Sequence, residues 1–144
     1  MHRNGIASIH LFDGVRDTSL KRPRLRAIAY WTATAVIAAE FATGGVSDIF
    51  HLPPFGPALV QLGYPAFVGV ILGIWKLLGT AAILVPRFPR LKEWAYAGMI
   101  FDLTGAAASY LATRGTAGDL AVPLVFIAFA LASWALRPPS RRLA

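Results

Sequence analysis

Three charged side chains interrupt three long apolar stretches of this chain: Glu40, Lys76 and Asp102. A charged group at the centre of a bilayer costs roughly 2.5 to 3.5 kcal/mol on insertion scales, so charges found there usually face a protein interior and mark a functional site. Two carboxyl groups and one amine can share protons and can form hydrogen bonds with a ligand. These residue types therefore predict a proton-exchange or ligand-binding cluster.

Small and hydroxyl-bearing residues accompany each of the three charges at helical spacing. Residues three, four and seven positions apart share one face of a helix. These companions are Thr43, Gly44 and Ser47 for Glu40; Gly69, Gly73, Gly79 and Thr80 for Lys76; and Gly98, Gly105, Ala106 and Ser109 for Asp102. Because small residues let helices approach closely, we expect all three charged faces to point into the protein and away from lipid.

The rise of ~1.5 Å per helical residue places Lys76 between the two carboxyl groups along the membrane normal. Two ionised carboxylates and one ammonium would leave one unbalanced negative charge, and protonation of one acid would remove it. The sequence thus predicts a cluster that shares a proton near neutral pH. A structural alternative stays open, in which the ion pair only holds the helices in register.

The composition indicates the elements that position these residues. The 144 residues are 56% hydrophobic and 15% charged, which is typical of an integral membrane protein. Four apolar stretches cover about residues 27–46, 66–85, 94–112 and 120–136, and a helix of about 20 residues crosses a hydrocarbon core ~30 Å thick. The predicted fold is all-α, an integral membrane four-helix bundle.

The distribution of basic residues predicts the orientation of these helices. The net charge is +7. The basic residues outside the apolar stretches lie before the first stretch, between the second and the third, or after the fourth, and Arg114 is the one exception. The positive-inside rule places both termini in the cytoplasm. Residues 1–26 and 138–144 are then basic cytoplasmic tails, flanking a domain of residues 27–137. This pattern predicts a multi-pass membrane protein that contacts lipid and no nucleic acid.

Two features near the first stretch allow other interpretations. A basic segment followed by an apolar run can also be a secretory signal peptide, but Glu40 and the length of the run favour a membrane span. Residues 47–65 contain four prolines, which predicts an external loop with at most one interfacial helical turn at 58–62.

The sequence excludes several cofactors whose protein ligands would all have to come from this chain. It contains no cysteine, and so no Fe–S cluster or cysteinyl zinc site. His2, His10 and His51 lie outside the apolar stretches, where they could not hold a haem between helices. His51 and Asp48 together are too few ligands for a metal, and we expect His51 to be a solvated loop residue.

Four segments of the sequence resemble the DoxX-like family of small bacterial membrane proteins. They are residues 62–65 (LGYP), 76–79 (KLLG), 86–98 (PRFPRLKEWAYAG) and 101–106 (FDLTGA). The resemblance extends over about residues 30–136. It implies a four-helix bundle in the bacterial inner membrane, from a group that includes subunits of quinone-linked oxidoreductases and partners of redox enzymes. The family pattern also includes a lysine and an acid at the positions of Lys76 and Asp102.

The leading hypothesis is an accessory or quinone-interacting subunit of a membrane redox complex. Lys76 would donate to a quinone oxygen, Glu40 and Asp102 would exchange protons, and Trp75 or Tyr110 would pack against the ring. The cofactor would be a borrowed quinone, since none is intrinsic to the chain.

Two other functions fit the same residues. Buried ionisable groups also occur in proton-coupled transporters, although four helices are few for alternating access without a homo-oligomer. A non-catalytic assembly or scaffold protein is the third possibility, with the uncharged fourth stretch as the contact for a partner subunit.

Overall fold

The computed structural model describes residues 7–53 and 55–142, with side chains for 24–53 and 56–142. The elements within these residues are all helical. They are α1 (Ala7–Phe50), α2 (Phe55–Gln61), α3 (Ala66–Leu84), α4 (Pro89–Ala112) and α5 (Ala117–Leu136), followed by a 3-10 turn at Pro139–Arg141.

Three of these helical segments are long and apolar enough to cross a membrane: Arg24–Phe50, Ala66–Leu84 and Ala117–Leu136. This confirms the prediction of a helical membrane protein. Helix α4 is also long, with 24 residues, but it is less apolar because Lys92, Glu93 and Asp102 lie within it. The described structure therefore supports three candidate spans by composition, one fewer than the four predicted.

The four long helices pack in a ring in which α1 and α4 each contact both α3 and α5. A core of buried side chains fills the space between them. Its members are Ile37, Ala38, Phe41, Ile83, Tyr96, Met99, Leu103 and Ala130. Every long helix contributes to this core, so the helices position one another.

Helix α1 extends beyond the predicted first span at both ends. Its backbone is helical from Ala7, so much of the predicted tail 1–26 is continuous with the span. At the other end the helix continues to Phe50 and buries Ser47 and Asp48. The prediction that the external loop starts at residue 47 is therefore wrong. The apolar run ends at residue 46 because Ser47 and Asp48 are polar, but both side chains are buried in the protein interior.

Glycines bring α1 and α3 into backbone contact. A Cβ atom added to Gly73 would lie 2.5 Å from the carbonyl oxygen of Gly45, and one added to Gly69 would lie 3.0 Å from that of Asp48. The predicted interior face of α3 is thus confirmed at these positions. The prediction is wrong for Gly98 and Gly105 of α4, which are exposed and have open space beside them.

Candidate functional site

The ammonium group of Lys76 connects α3 with two other helices. Its Nζ lies 2.8 Å from Oδ2 of Asp48 on α1 and 3.6 Å from Oδ2 of Asp102 on α4. The Asp48 side chain is only 1% exposed, and those of Lys76 and Asp102 are 13% and 18% exposed. The ring of Phe41 lies 5.9 Å from the same nitrogen and adds a cation–π contact. The structure therefore places a largely dehydrated ion-pair network at the meeting point of three helices.

Glu40 lies two helical turns before Asp48 on α1. It is within electrostatic range of Lys76, Asp48 and Asp102. Its Oε2 atom is buried and has no hydrogen-bond partner among the described residues. A buried carboxyl oxygen without a partner is uncommon, and it can hold a proton or accept a hydrogen bond from a ligand.

The cluster contains three carboxyl groups and one amine, since Asp48 joins the three residues predicted from the sequence. If all were ionised, the cluster would carry two unbalanced negative charges in a site of low dielectric. Electrical neutrality then requires two bound protons, where the sequence predicted one. The additional acid increases the number of protons that the cluster can exchange.

Asp48 was missed because residues 47–65 have the composition of a loop. The helical spacing did contain a signal, since Gly44 and Asp48 follow Glu40 at intervals of four residues. Extending the face of Glu40 by one more turn would have included Asp48. The turn formers that follow Asp48 predicted a loop, and this compositional signal outweighed the helical spacing.

A cavity of about 890 Å³ lies between α3 and α4, beside the cluster. Lys76 and Asp102 lie at one end of it, and Glu93 lies at the other, nine residues earlier on α4. Most of the remaining wall is apolar or aromatic. Trp75, which was predicted to contact a ligand, lines the cavity and is 68% exposed. The cavity thus joins a polar end to an apolar wall and opens on the outer surface of the two helices.

Tyr110, the other residue predicted to contact a ligand, lies elsewhere. It is in the last turns of α4, where its side chain packs beside Gly115. It is absent from the residues that line the cavity, so among the described residues only Trp75 of this pair is near the cluster.

Comparison with known proteins identifies the family of the chain. A model of the DoxX-like family matches residues 32–133, well over half of the sequence. The chain belongs to the DoxX-like family. This confirms the resemblance found in residues 30–136. No curated protein and no solved structure matches the chain.

Lys92 of this DoxX-like protein lies near Arg137 and Arg141, at an end of the protein called the basic end below. Lys92 is fully buried and closes the C-terminus of α3. Its Nζ donates to the carbonyl oxygens of Ala82 (2.8 Å), Ile83 (3.1 Å) and Val85. These carbonyl groups have no partners within the helix, and a cation is favourable beside them. Burial lowers the pKa of Lys92, and repulsion from two nearby guanidinium groups lowers it further, to about 8.

A second polar cluster of the DoxX-like protein links the start of α4 with the end of α5. Glu93 accepts a hydrogen bond from Nη2 of Arg137 at 2.6 Å and another from Nε1 of Trp134 at 2.7 Å. Burial raises the pKa of Glu93, but these two hydrogen bonds and the charge of Arg137 together hold it below its ordinary value. Glu93 therefore stays ionised, and the pair closes the ring of helices at this end.

Ser133, the polar residue of the fourth predicted span, joins three helices. Its Oγ lies 2.7 Å from Oγ1 of Thr34 on α1 and 2.6 Å from the hydroxyl oxygen of Tyr96 on α4. Thr34 also donates to the carbonyl oxygen of Tyr30 at 2.7 Å. Helix α5 is therefore connected to its neighbours by a buried hydroxyl network, in addition to apolar packing.

The histidines are separate from both clusters where they can be described. His51 follows α1, and its Nε2 lies 3.2 Å from the carbonyl oxygen of Ala66. His2 and the side chain of His10 lie outside the described residues. Within the described part of the chain, no three histidine, aspartate or glutamate side chains are grouped as a metal site would require.

Proposed function

We propose that this DoxX-like protein is an accessory or quinone-interacting subunit of a membrane redox complex. The observation that carries the proposal is the cavity between α3 and α4, in which an apolar aromatic wall meets the Lys76–Asp102 pair. A quinone has the same two parts, an apolar ring with its tail and carbonyl oxygens that accept hydrogen bonds. The volume of the cavity is also in the range of small-molecule sites, about 300 to 1,000 Å³.

The polar end of the cavity fits a quinone carbonyl in particular. An ammonium group has three donors, and Lys76 uses one on Asp48 and directs a second towards Asp102. The third remains for a ligand oxygen. Quinone reduction also takes up protons, and Glu40, Asp48 and Asp102 could supply them from positions around the same nitrogen. Trp75 would pack against the ring from the apolar wall.

Gly98 offers a direct test of the cavity. It lines the cavity, and no atom lies within 4 Å of a Cβ atom placed there, so Gly98→Leu fills the space without moving the backbone. Gly105 on the same helix has equally open space but does not line the cavity, which makes Gly105→Leu a matched control. We expect Gly98→Leu to weaken binding of decylubiquinone at least about tenfold by calorimetry, with Gly105→Leu unchanged. Equal binding by both variants, or none by the natural protein, would contradict the proposal.

We further propose that α4 is the fourth span and that both termini lie in the bacterial cytoplasm. The length of α4 and its place in the ring of helices support this, as does the concentration of basic residues at one end. The chain has no cysteine, so a single introduced thiol reports one position. We expect Thr113→Cys to react with an impermeant maleimide in intact cells and Ser140→Cys only after lysis. If α4 does not cross the membrane, these two results exchange.

A proton-coupled transporter is the second candidate, and the buried, unpartnered Oε2 of Glu40 favours it. Three acids around one amine could bind and release protons as a solute passes. Proteoliposomes with an internal pH dye and an imposed proton gradient would test this. Proton entry that Glu40→Gln abolishes supports transport, whereas proton-tight vesicles that bind quinone support the redox role.

A further inference from the structure

A smaller cavity, of about 340 Å³, lies at the basic end of the protein, between the start of α4 and the end of α5. The residues that line it are Glu93, Trp134, Ala135, Arg137 and Arg142. It is separate from the cavity beside Lys76, except that Glu93 borders both.

Positive charge exceeds negative charge around this small cavity. Two arginines and one glutamate line it, and Lys92 lies near enough to Arg137 to be repelled by its charge. Among the described residues, Glu93 is the one carboxylate that lines the cavity, and both of its oxygens already accept hydrogen bonds from Trp134 and Arg137. An additional anion would therefore balance cations that the protein leaves unbalanced.

The two arginines of the cavity are held in place by hydrogen bonds to the protein, and Arg137 retains a donor without a partner among the described residues. The Arg137 side chain is 3% exposed, and its Nη1 has no hydrogen-bond partner among the described residues. Arg142 is fixed by bonds of 2.7 Å from Nε to the carbonyl oxygen of Arg137 and from Nη2 to that of Ala135. Guanidinium groups held in this way match the oxygens of a phosphate group.

The surface beside the cavity is suited to lipid. Trp134 is 45% exposed, and tryptophan is enriched where the hydrocarbon core meets the headgroups. Leu131 and Leu124 lie on the same face of α5, three and ten residues earlier, and each is about half exposed. An apolar stripe therefore runs along α5 to the arginines.

We propose that this cavity binds the phosphate group of an anionic phospholipid, whose acyl chains lie along the stripe of α5. Arg137 and Arg142 contact the phosphate, and Trp134 lies at the level of the headgroup. Basic pockets near helix ends are a known mode of anionic lipid recognition. This site does not depend on quinone binding, and it would stabilise the contact between α4 and α5 from outside.

Native mass spectrometry of the full chain in neutral detergent, with phosphatidylglycerol or phosphatidylcholine added, tests this site. We expect the natural protein to retain phosphatidylglycerol preferentially. Arg142→Gln should lower that retention several-fold, and Arg142→Lys should restore part of it. Arg114→Gln, which removes the same charge from the exposed segment between α4 and α5, should leave retention unchanged.

Three outcomes would overturn the proposal. Equal losses in Arg142→Gln and Arg114→Gln would show that net charge alone attracts the lipid. Equal retention of the two phospholipids would remove the anionic headgroup as the ligand. Displacement of the lipid by inorganic phosphate at the concentration of the lipid itself would identify a free anion as the ligand.

Discussion

Asp48 and Lys76 form an ion pair of 2.8 Å across the contact that Gly45 and Gly73 make between the antiparallel helices α1 and α3. Gly45 precedes Asp48 by three residues, and Gly73 precedes Lys76 by three residues. Because α1 and α3 run antiparallel, these two positions lie on opposite sides of the glycine contact, and the close backbones let the long Lys76 side chain reach Asp48 across it. The glycine contact and the ion pair are therefore one structural unit.

The first prediction concerns the two carboxylates that pair with Lys76. Asp48→Asn leaves the ammonium of Lys76 with the more distant Asp102, and loss of one partner from a buried pair costs about 3 to 5 kcal/mol of stability. Asp102→Asn removes the longer contact, of 3.6 Å, and should cost less. Thermal unfolding in detergent, followed by tryptophan fluorescence, measures both.

The double variant separates a structural pair from unrelated losses. Lys76→Met in the Asp48→Asn background removes an ammonium group that has already lost its nearest partner, so the combined loss should be smaller than the sum of the single losses. Additive losses would mean that the two side chains do not interact in the folded protein. If the double variant is stable but no longer binds quinone, the pair is retained for function.

The second prediction concerns the glycine contact. A Cβ atom at Gly73 would lie 2.5 Å from the carbonyl oxygen of Gly45, so Gly73→Ala must push α3 away from α1. Overpacking of this kind costs about 1 to 3 kcal/mol. Gly105→Ala meets open space and should gain up to about 1 kcal/mol, because alanine is the better helix former. A melting temperature that rises in both variants would contradict the contact.

The sequence predicted the members of the candidate site that interrupt apolar runs, and missed the one at the edge of a run. Charge within a hydrophobic stretch revealed Glu40, Lys76 and Asp102. Asp48 lies next to a segment rich in turn formers, and its burial depends on the tertiary contact with Lys76. Local composition does not contain that contact.

The same limit explains the errors on α4. Gly98 and Gly105 share a face with Asp102, and the periodicity could not show that this face lies beside a cavity and an open surface. The fourth span, by contrast, stays a prediction, because α4 carries more charge than α3 and α5. Periodicity identifies which residues share a face, while the packing of whole helices decides what that face contacts.

The third prediction concerns acid. The pKa of Glu93 is held below its ordinary value of 4.5, so its bonds stabilise the folded state above that pH and are lost as the pH falls through the lowered value. The natural protein should therefore lose stability below about pH 4.5 more steeply than Glu93→Gln, which has no carboxylate to protonate. Melting curves of both proteins between about pH 3 and about pH 7 measure the difference. Parallel curves would show that Glu93 does not contribute.

The last prediction compares two tyrosine hydroxyl groups in different surroundings. The hydroxyl of Tyr96 is buried 2.6 Å from Ser133, in the network that also includes Thr34, whereas that of Tyr64 lies 2.8 Å from Ser109 at an exposed position. Removal of a buried partner leaves the other group without its hydrogen bond and costs about 1 to 3 kcal/mol. We therefore expect Tyr96→Phe to lower the melting temperature and Tyr64→Phe to change it little, since water can replace the lost bond at the exposed site. Equal effects would mean that the network among α1, α4 and α5 does not stabilise the protein, and α5 would then be held by apolar packing and by the Glu93–Arg137 pair.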